Sequence, residues 1–219
     1  MSFLGIVLGI LEGLRVTVSV TLLGLAYAIP FALLFGVLQH FATGCRRALV
    51  TATIEFWRSS PVIILLYAFY YSLPAFGIVL SAMTVGSLVL GLNIGGYGSQ
   101  SVRAALQAIG RGQVEGGLAL GLGRFQVLCL IELPQALAAM VPTFINLGMQ
   151  LLKGTALVSL ITLTDMTFRA QQISQTHFDP IGIYTALMLC YFAICYPITI
   201  LGRAIERRAA LPQVSAHEL

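Results

Sequence analysis

The chain is 219 residues long, 58% hydrophobic and only 9% charged, with a mean hydropathy of +0.93. A soluble domain carries about 25% charged residues, so most of this surface cannot face water, and lipid must be its main solvent. The same composition excludes a disordered, collagen-like or coiled-coil chain. The four cysteines (Cys45, Cys129, Cys190, Cys195) lack metal-ligand spacing and read as packing residues rather than as a disulfide framework.

In chain order, residues 1–13 have no early basic region and no small-residue cleavage site, so they make a poor signal peptide. They are expected to lie along the outer interface, with Gly5, Gly9 and Gly13 at a spacing that lets another helix approach closely. A span needs about 20 apolar residues, and the charge-free gaps place five. The first lies near residues 17–38, with Pro30 inside. Two more, near 54–73 and 81–103, are separated by a turn at Pro74 and Gly77. The fourth covers 136–163, with Lys153 in its middle, and the fifth 181–201. The expectation is therefore an all-α integral membrane fold, with a transmembrane domain over 14–205 and a tail over 206–219.

Five spans put the termini on opposite sides of the membrane. Arg46, Arg47, Arg111, Arg124, Arg203, Arg207 and Arg208 fall on one side, and only Arg15 and Arg169 on the other. The positive-inside rule then argues that the N-terminus faces outward and that the 103–135 loop and the C-terminal tail are cytoplasmic. The net charge of +4 is thus a topology signal, not a nucleic-acid footprint.

That loop contains Gly112-Gln-Val-Glu115-Gly116-Gly117-Leu-Ala-Leu-Gly121-Leu-Gly123-Arg124-Phe125 and ends at Ile131-Glu132-Leu133-Pro134. It resembles the EAA loop of binding-protein-dependent ABC importer permeases: Glu-Ala-Ala, three residues, Gly, nine residues, Ile, one residue, Leu-Pro. Glu115, Gly121, Ile131 and Pro134 match without insertion, while Gly116 and Gly117 replace the two alanines at about 1 kcal/mol of helix propensity each. On its own chemistry, a short helix with a small-residue face and an exposed acid can dock into a groove on a soluble partner. The resemblance implies that Glu115, Gly116, Gly117, Gly121, Arg124 and Pro134 couple this chain to a cytoplasmic ATPase, and that the fold is that of a type I importer permease with a coupling helix.

Further stretches resemble the polar amino acid branch of the same family. Glu55-Phe-Trp-Arg58-Ser-Ser-Pro61 is similar to its aromatic-Arg-small-Ser/Thr-Pro stretch. Tyr97-Gly-Ser-Gln100-Ser-Val-Arg103 is similar to Tyr-x-x-Glu-x-x-Arg, with Gln100 in place of the usual Glu. Leu152-Lys153-Gly154-Thr155-Ala156-Leu157 is similar to a Lys-Asn/Asp-Thr-Ser-Leu stretch. The candidate pathway residues are accordingly Arg58, Tyr97, Gln100, Lys153 and Thr155. A mid-span lysine costs roughly 2.5–3.5 kcal/mol unless it is paired or wet, so Lys153 needs a carboxylate, helix carbonyl ends or a substrate. Arg58 either snorkels to the headgroups or makes a gate contact. Gln100 removes a fixed negative charge, consistent with a neutral or zwitterionic substrate or with a purely structural exchange. Asp165, Arg169, His177 and Asp179 occupy the outer loop, either solvated or, for Asp165 and Arg169, meeting an external binding protein.

No phosphate-binding loop occurs: Lys153-Gly154-Thr155 has the wrong order, and Gly110–Gly112 and Gly121–Gly123 follow no strand. His40, His177 and His217 fall on separate segments and support neither a zinc site nor a triad. The chain reads as a non-enzymatic permease subunit in the inner (plasma) membrane of a bacterium. It binds no cofactor itself, and ATP and Mg²⁺ belong to a partner ATPase dimer. A second permease chain and an extracytoplasmic substrate-binding protein complete the expected assembly; nucleic acid does not enter. The alternative is a self-sufficient homo-oligomeric channel or membrane scaffold.

Overall fold

The computed structural model describes residues 2–214, with side chains through residue 205. Arg207, Arg208 and the rest of the 206–219 tail therefore lie outside the described side chains, and 215–219 and His217 outside the described residues. The helices are α1 (Phe3–Leu11), α2 (Leu14–Phe41), α3 (Gly44–Ser59), α4 (Val62–Tyr67), α5 (Ala82–Ala108), α6 (Arg111–Ala119), α7 (Arg124–Val127), α8 (Leu133–Gly154), α9 (Met166–Thr176) and α10 (Pro180–Val214).

Among the described residues, three helical stretches are long and apolar enough to cross a membrane: Phe3–Phe41, Arg124–Ile161 and Pro180–Ile205. A fourth is a bent pair, Gly44–Ser59 with Val62–Phe76, whose arms meet at 96°. The region expected as a span near 54–73 falls within this bent pair. Pro61 has no N–H and drives Ser60 into extended backbone (φ −76°, ψ 138°), so α3 stops at Ser59 and the chain turns before α4 begins. A π turn over Ala68–Ser72 and a 3-10 turn over Leu73–Phe76 then lead to Gly77 at φ 78°, the turn expected from Pro74 and Gly77.

α5 starts where Ser81 Oγ accepts from Thr84 N at 3.1 Å. Its 27 residues at 1.5 Å rise reach about 40 Å, enough to cross, yet it is rich in Gly and Ser rather than strongly apolar. It can be so because it fills the centre of the bundle, packed on α2, α3, α4 and α8, and needs little contact with lipid. The α2–α5 approach is backbone against backbone. A Cβ at Gly36 would fall 2.7 Å from Ser99 O, and one at Gly91 2.9 Å from Tyr27 Cβ.

The break between α3 and α4 leaves carbonyls that lipid cannot satisfy. Asn93 Nδ2 donates to Trp57 O at 2.7 Å, and Tyr97 OH donates to Arg58 O at 3.2 Å. The two donors sit four residues apart on one face of α5, so a single helix face closes the bend.

α8 begins at Leu133 rather than near 136 and ends at Gly154. The chain tightens into a 3-10 turn over Thr155–Ile161 and stops at Thr162, the one non-glycine with positive φ (70°) among the described residues. α1 packs through Ile6 and Ile10 onto Met166, Ala170, Ile183, Ala186 and Cys190. Gly9 lies against Ile173, and the backbone of Asp165 and Met166 passes directly over Gly13, so two of the three N-terminal glycines are points of close approach. Cys190 and Cys195 are buried as expected, whereas Cys45 is exposed and is no packing residue.

Asn93→Leu should destabilise the protein by about 1–3 kcal/mol, because Trp57 O is left unpaired in a site water reaches poorly. Tyr97→Phe should cost less, since Tyr97 is partly exposed. Thermal unfolding in detergent checks the order; equal melting temperatures for Asn93→Leu and the parent would dissociate α5 from the bend.

Candidate functional site

α6 is a short helix with two unlike faces. It ends in a Schellman arrangement: Leu122 N donates to Gly117 O at 3.2 Å and Gly121 N to Leu118 O at 3.0 Å, with Gly121 at φ 86°. Gly123 then opens α7, its N–H donating to Gln126 Oε1 at 2.8 Å. Glu115 and Gly116 point outward, and a Cβ at Gly116 would meet open space. Gly117 faces inward, where a Cβ would fall 2.8 Å from Ile131 Cδ1 and 3.1 Å from Val127 Cγ2. The two replaced alanine positions are therefore different: one is free, the other is filled by Ile131. Gln135 Nε2 donates to Gln113 Oε1 at 2.6 Å and to Ile131 O at 2.8 Å, pinning α6 to the root of α8.

Leu120 (85% exposed) and Phe125 (75% exposed) flank the outward face. Sequence reasoning passed over both; their signal was large apolar residues in a loop assigned to the cytoplasm, where lipid cannot cover them. Arg124 stays partly exposed while its guanidinium reaches a buried partner. Its Nη2 donates to Glu132 Oε1 at 3.2 Å, its Nη1 stands 3.0 Å from Glu132 Oε2, and its guanidinium carbon lies 4.9 Å from the Phe41 ring centre. Glu132, 2% exposed, was likewise missed, although a lone carboxylate at the head of an apolar run is itself a signal. Pro134 sits exposed in the first turn of α8.

The candidate pathway residues do not form one cluster. Arg58 and Tyr97 meet at the α3–α5 contact, and Arg58 Nη2 pairs with Glu55 Oε1 at 2.8 Å on a half-exposed face. Gln100, one turn from Tyr97, joins a buried amide chain instead: its Nε2 donates to Gln39 Oε1 at 2.9 Å, and Gln39 Nε2 donates to Thr51 Oγ1 at 2.9 Å. It ties α5 to α2 and α3. Lys153 is exposed in the last turn of α8 and lines a hollow of about 280 Å³ with Tyr191, Phe192, Cys195, Tyr196 and Thr199. Thr155 is fully buried and its hydroxyl donates to Leu152 O at 2.7 Å, so it presents nothing to that hollow.

At the other end, Asp165 is also fully buried. It caps α9, with Oδ1 accepting from Phe168 N at 2.9 Å and Oδ2 from Thr167 N at 3.1 Å. Burial raises its carboxyl above the usual value, opposed by those two backbone bonds. It has no surface to offer a binding protein. Arg169 has: half-exposed, it pairs with Glu12 at 3.4 Å and donates to Gln172 Oε1 at 3.2 Å. Asp179 accepts from Gly182 N at 3.0 Å and so starts α10.

A model of the family described as binding-protein-dependent transport system inner membrane component matches residues 28–211. The chain is 34% identical over 201 residues to the probable amino-acid ABC transporter permease protein y4tF of Sinorhizobium fredii (strain NBRC 101917 / NGR234), covering 89% of this chain and 84% of that protein. It is 29% identical over 201 residues to the glutamine transport system permease protein GlnP of Escherichia coli (strain K12), covering 91% and 92%. Its structure is similar to a chain of a solved amino acid ABC transporter with histidines, at a TM-score of 0.85 and 26% identity, over 95% of this chain and 99% of that one. An inward-facing MetNI methionine ABC transporter, 22% identical with a TM-score of 0.72 over 93% and 95% of the two chains, shares the fold. The chain therefore belongs to the binding-protein-dependent transport system inner membrane components, as a multi-pass inner membrane permease subunit of an ABC importer in which a separate subunit hydrolyses ATP.

Proposed function

We propose that two permease chains, this one with an identical or paralogous partner, enclose an alternating-access pathway for a polar amino acid or related small zwitterion. An extracytoplasmic binding protein delivers it, and an ATPase dimer carrying ATP and Mg²⁺ receives α6. The N-terminus faces outward and the C-terminus the cytoplasm, in keeping with the arginine distribution. The observation that carries this reading is the two-sided α6. Its inner face is packed on Val127 and Ile131 and pinned through Gln135, while its outer face offers Glu115 beside Leu118, Leu120 and Phe125. A helix held rigidly on one side and apolar with one acid on the other is built to seat in a protein groove.

The substrate class rests on relatives described as glutamine, L-cystine and amino-acid permeases and on the Lys153 hollow. There the Lys153 ammonium, on a wall otherwise aromatic and apolar, suits the carboxylate of an amino acid. The Arg58–Glu55 pair, half-exposed beside the bend between α3 and α4, forms a second polar face, with Tyr97 holding the Arg58 backbone.

Glu115→Arg in the assembled importer should abolish most substrate-stimulated ATP hydrolysis and uptake together; rates equal to the parent's would reject the docking role of α6. Gly116→Ala should be tolerated and should firm α6 by about 1 kcal/mol. Gly117→Ala, whose methyl must displace the Cδ1 end of Ile131, should gain less stability than Gly116→Ala, and equal thermal shifts of the two variants would contradict the inward packing. Lys153→Met should raise the substrate concentration needed for half-maximal uptake while leaving the complex assembled. An unaltered concentration dependence would remove Lys153 from the pathway.

A further inference from the structure

Glu132 is a carboxylate with 2% of its surface exposed, lodged where the π turn meets α8. Arg124 reaches it from the N-terminus of α7 through both guanidinium nitrogens, at 3.0 and 3.2 Å. His40, in the last turn of α2, lies within electrostatic reach of Glu132, Arg124 and Arg103 of α5. His40 Nδ1, Arg103 Nε and Glu132 Oε2 are buried without a hydrogen-bond partner among the described residues, so the pair is held by one hydrogen bond, Arg124 Nη2 to Glu132 Oε1, and by the 3.0 Å ionic contact of Nη1 with Oε2. The buried acid is thus paired with Arg124 of α7, and burial of that kind persists only where charge compensates it.

The position of the pair in the chain gives it a mechanical meaning. Arg124 follows immediately on Gly121-Leu122-Gly123, the segment that leaves α6, and Glu132 immediately precedes Leu133-Pro134, where α8 begins. Between them the backbone passes through a π turn over Leu128–Glu132, a geometry that lacks the regular α-helical ladder. The same guanidinium rests over Phe41, the last residue of α2. A displacement of α6, packed through Gly117 on Val127 and Ile131, reaches the π turn directly, and that turn would otherwise absorb it. The ion pair spans the turn from Arg124 to Glu132 and, through Phe41, joins it to α2.

We propose that Glu132 is a positioning residue for energy coupling: its bond to Arg124 stiffens the elbow, so that movement of α6 is passed to α8 and, through Phe41, to α2. The inference rests on the docking reading of α6. Arg124 is 42% exposed at its side chain while Glu132 is 3% exposed, so the pair can be cut at the arginine without emptying a buried site.

The test uses the complete importer in liposomes, with both permease positions, the ATPase and the binding protein, and a mixture of the proteinogenic amino acids as the transported probe. Uptake per ATP hydrolysed is read for the parent, Glu132→Gln, Arg124→Gln and the double variant. Uptake per ATP should fall at least about fivefold in each single variant, and the double should be no worse than either, because both remove one interaction. A merely structural role would reduce the yield of assembled complex while uptake per ATP in the remaining complex stayed at the parent value; that result overturns the proposal. Losses that multiply in the double variant also overturn it. Should Glu132→Gln not assemble, Arg124→Gln removes the same pair from its exposed side and is judged by the same ratio. Glu115→Arg run in parallel separates the two readings. Impaired Glu115→Arg with intact Glu132→Gln defeats the elbow alone, whereas intact Glu115→Arg defeats the docking reading and the elbow with it.

Discussion

Lipid offers no hydrogen bonds, so every interruption of a membrane helix must be closed by the protein itself. This chain is interrupted repeatedly, and its polar residues gather at those interruptions. Asn93 and Tyr97 close the carbonyls freed at the Pro61 bend. Tyr70 and Thr162 share a hydrogen bond at 3.1 Å, and Tyr71 donates to Leu160 O at 3.4 Å, where the 3-10 turn after α8 would leave its carbonyls bare. Thr17 donates to Gly13 O at 3.3 Å beside the α1–α2 break, and its hydroxyl also receives Met166 N at 3.4 Å. Much of what looks polar inside the membrane is therefore structural closure, and only what remains exposed is free to meet a substrate.

That division explains which parts of the fold were legible in the sequence. Charge gaps found the long apolar stretches because the cost of burying charge in lipid is large and local. They could not find the 96° bend between α3 and α4, since hydropathy carries no direction; Ser60-Pro61 held that information in backbone sterics instead. They also could not tell Thr155 and Asp165, which serve the backbone, from Lys153 and Arg169, which remain accessible. All four are polar residues in apolar surroundings. The difference is one of direction, fixed by tertiary packing: Asp165 turns onto the N–H groups of α9, and Thr155 turns back onto Leu152.

The loop around α6 was legible in another way. Its resemblance to a family motif, from Glu115 to Pro134, located it, and the structure gives two of those positions a local reason: Gly121 adopts a left-handed conformation and Pro134 stands in a first helical turn. The reason for the Gly117–Ile131 spacing appeared only in three dimensions, where the side chain of the second fills the space left by the first. Glu132 belongs to no such local rule. Its partner is eight residues away across a π turn, and nothing in helical periodicity brings the two together.

A glycine-rich lever poses a physical problem. Gly112, Gly116, Gly117, Gly121 and Gly123 all favour a compliant loop, whereas transmission of force requires that displacement at one end not be lost before it reaches the other. Close packing supplies part of the stiffness, since Gly117 allows Ile131 and Val127 to lie against the α6 backbone. Packing alone resists compression better than shear. The Arg124–Glu132 pair adds a directional bond with a buried end, and the Gln113–Gln135 bond adds another on the side of α8. The glycines thus permit close approach of α6 to its own elbow and to a partner surface, while the charged and amide contacts restore the rigidity that the glycines remove. The glycines that meet no neighbouring atom, Gly121 among them with its φ of 86°, are the ones that keep their freedom, while Gly117 gives its own up to Ile131.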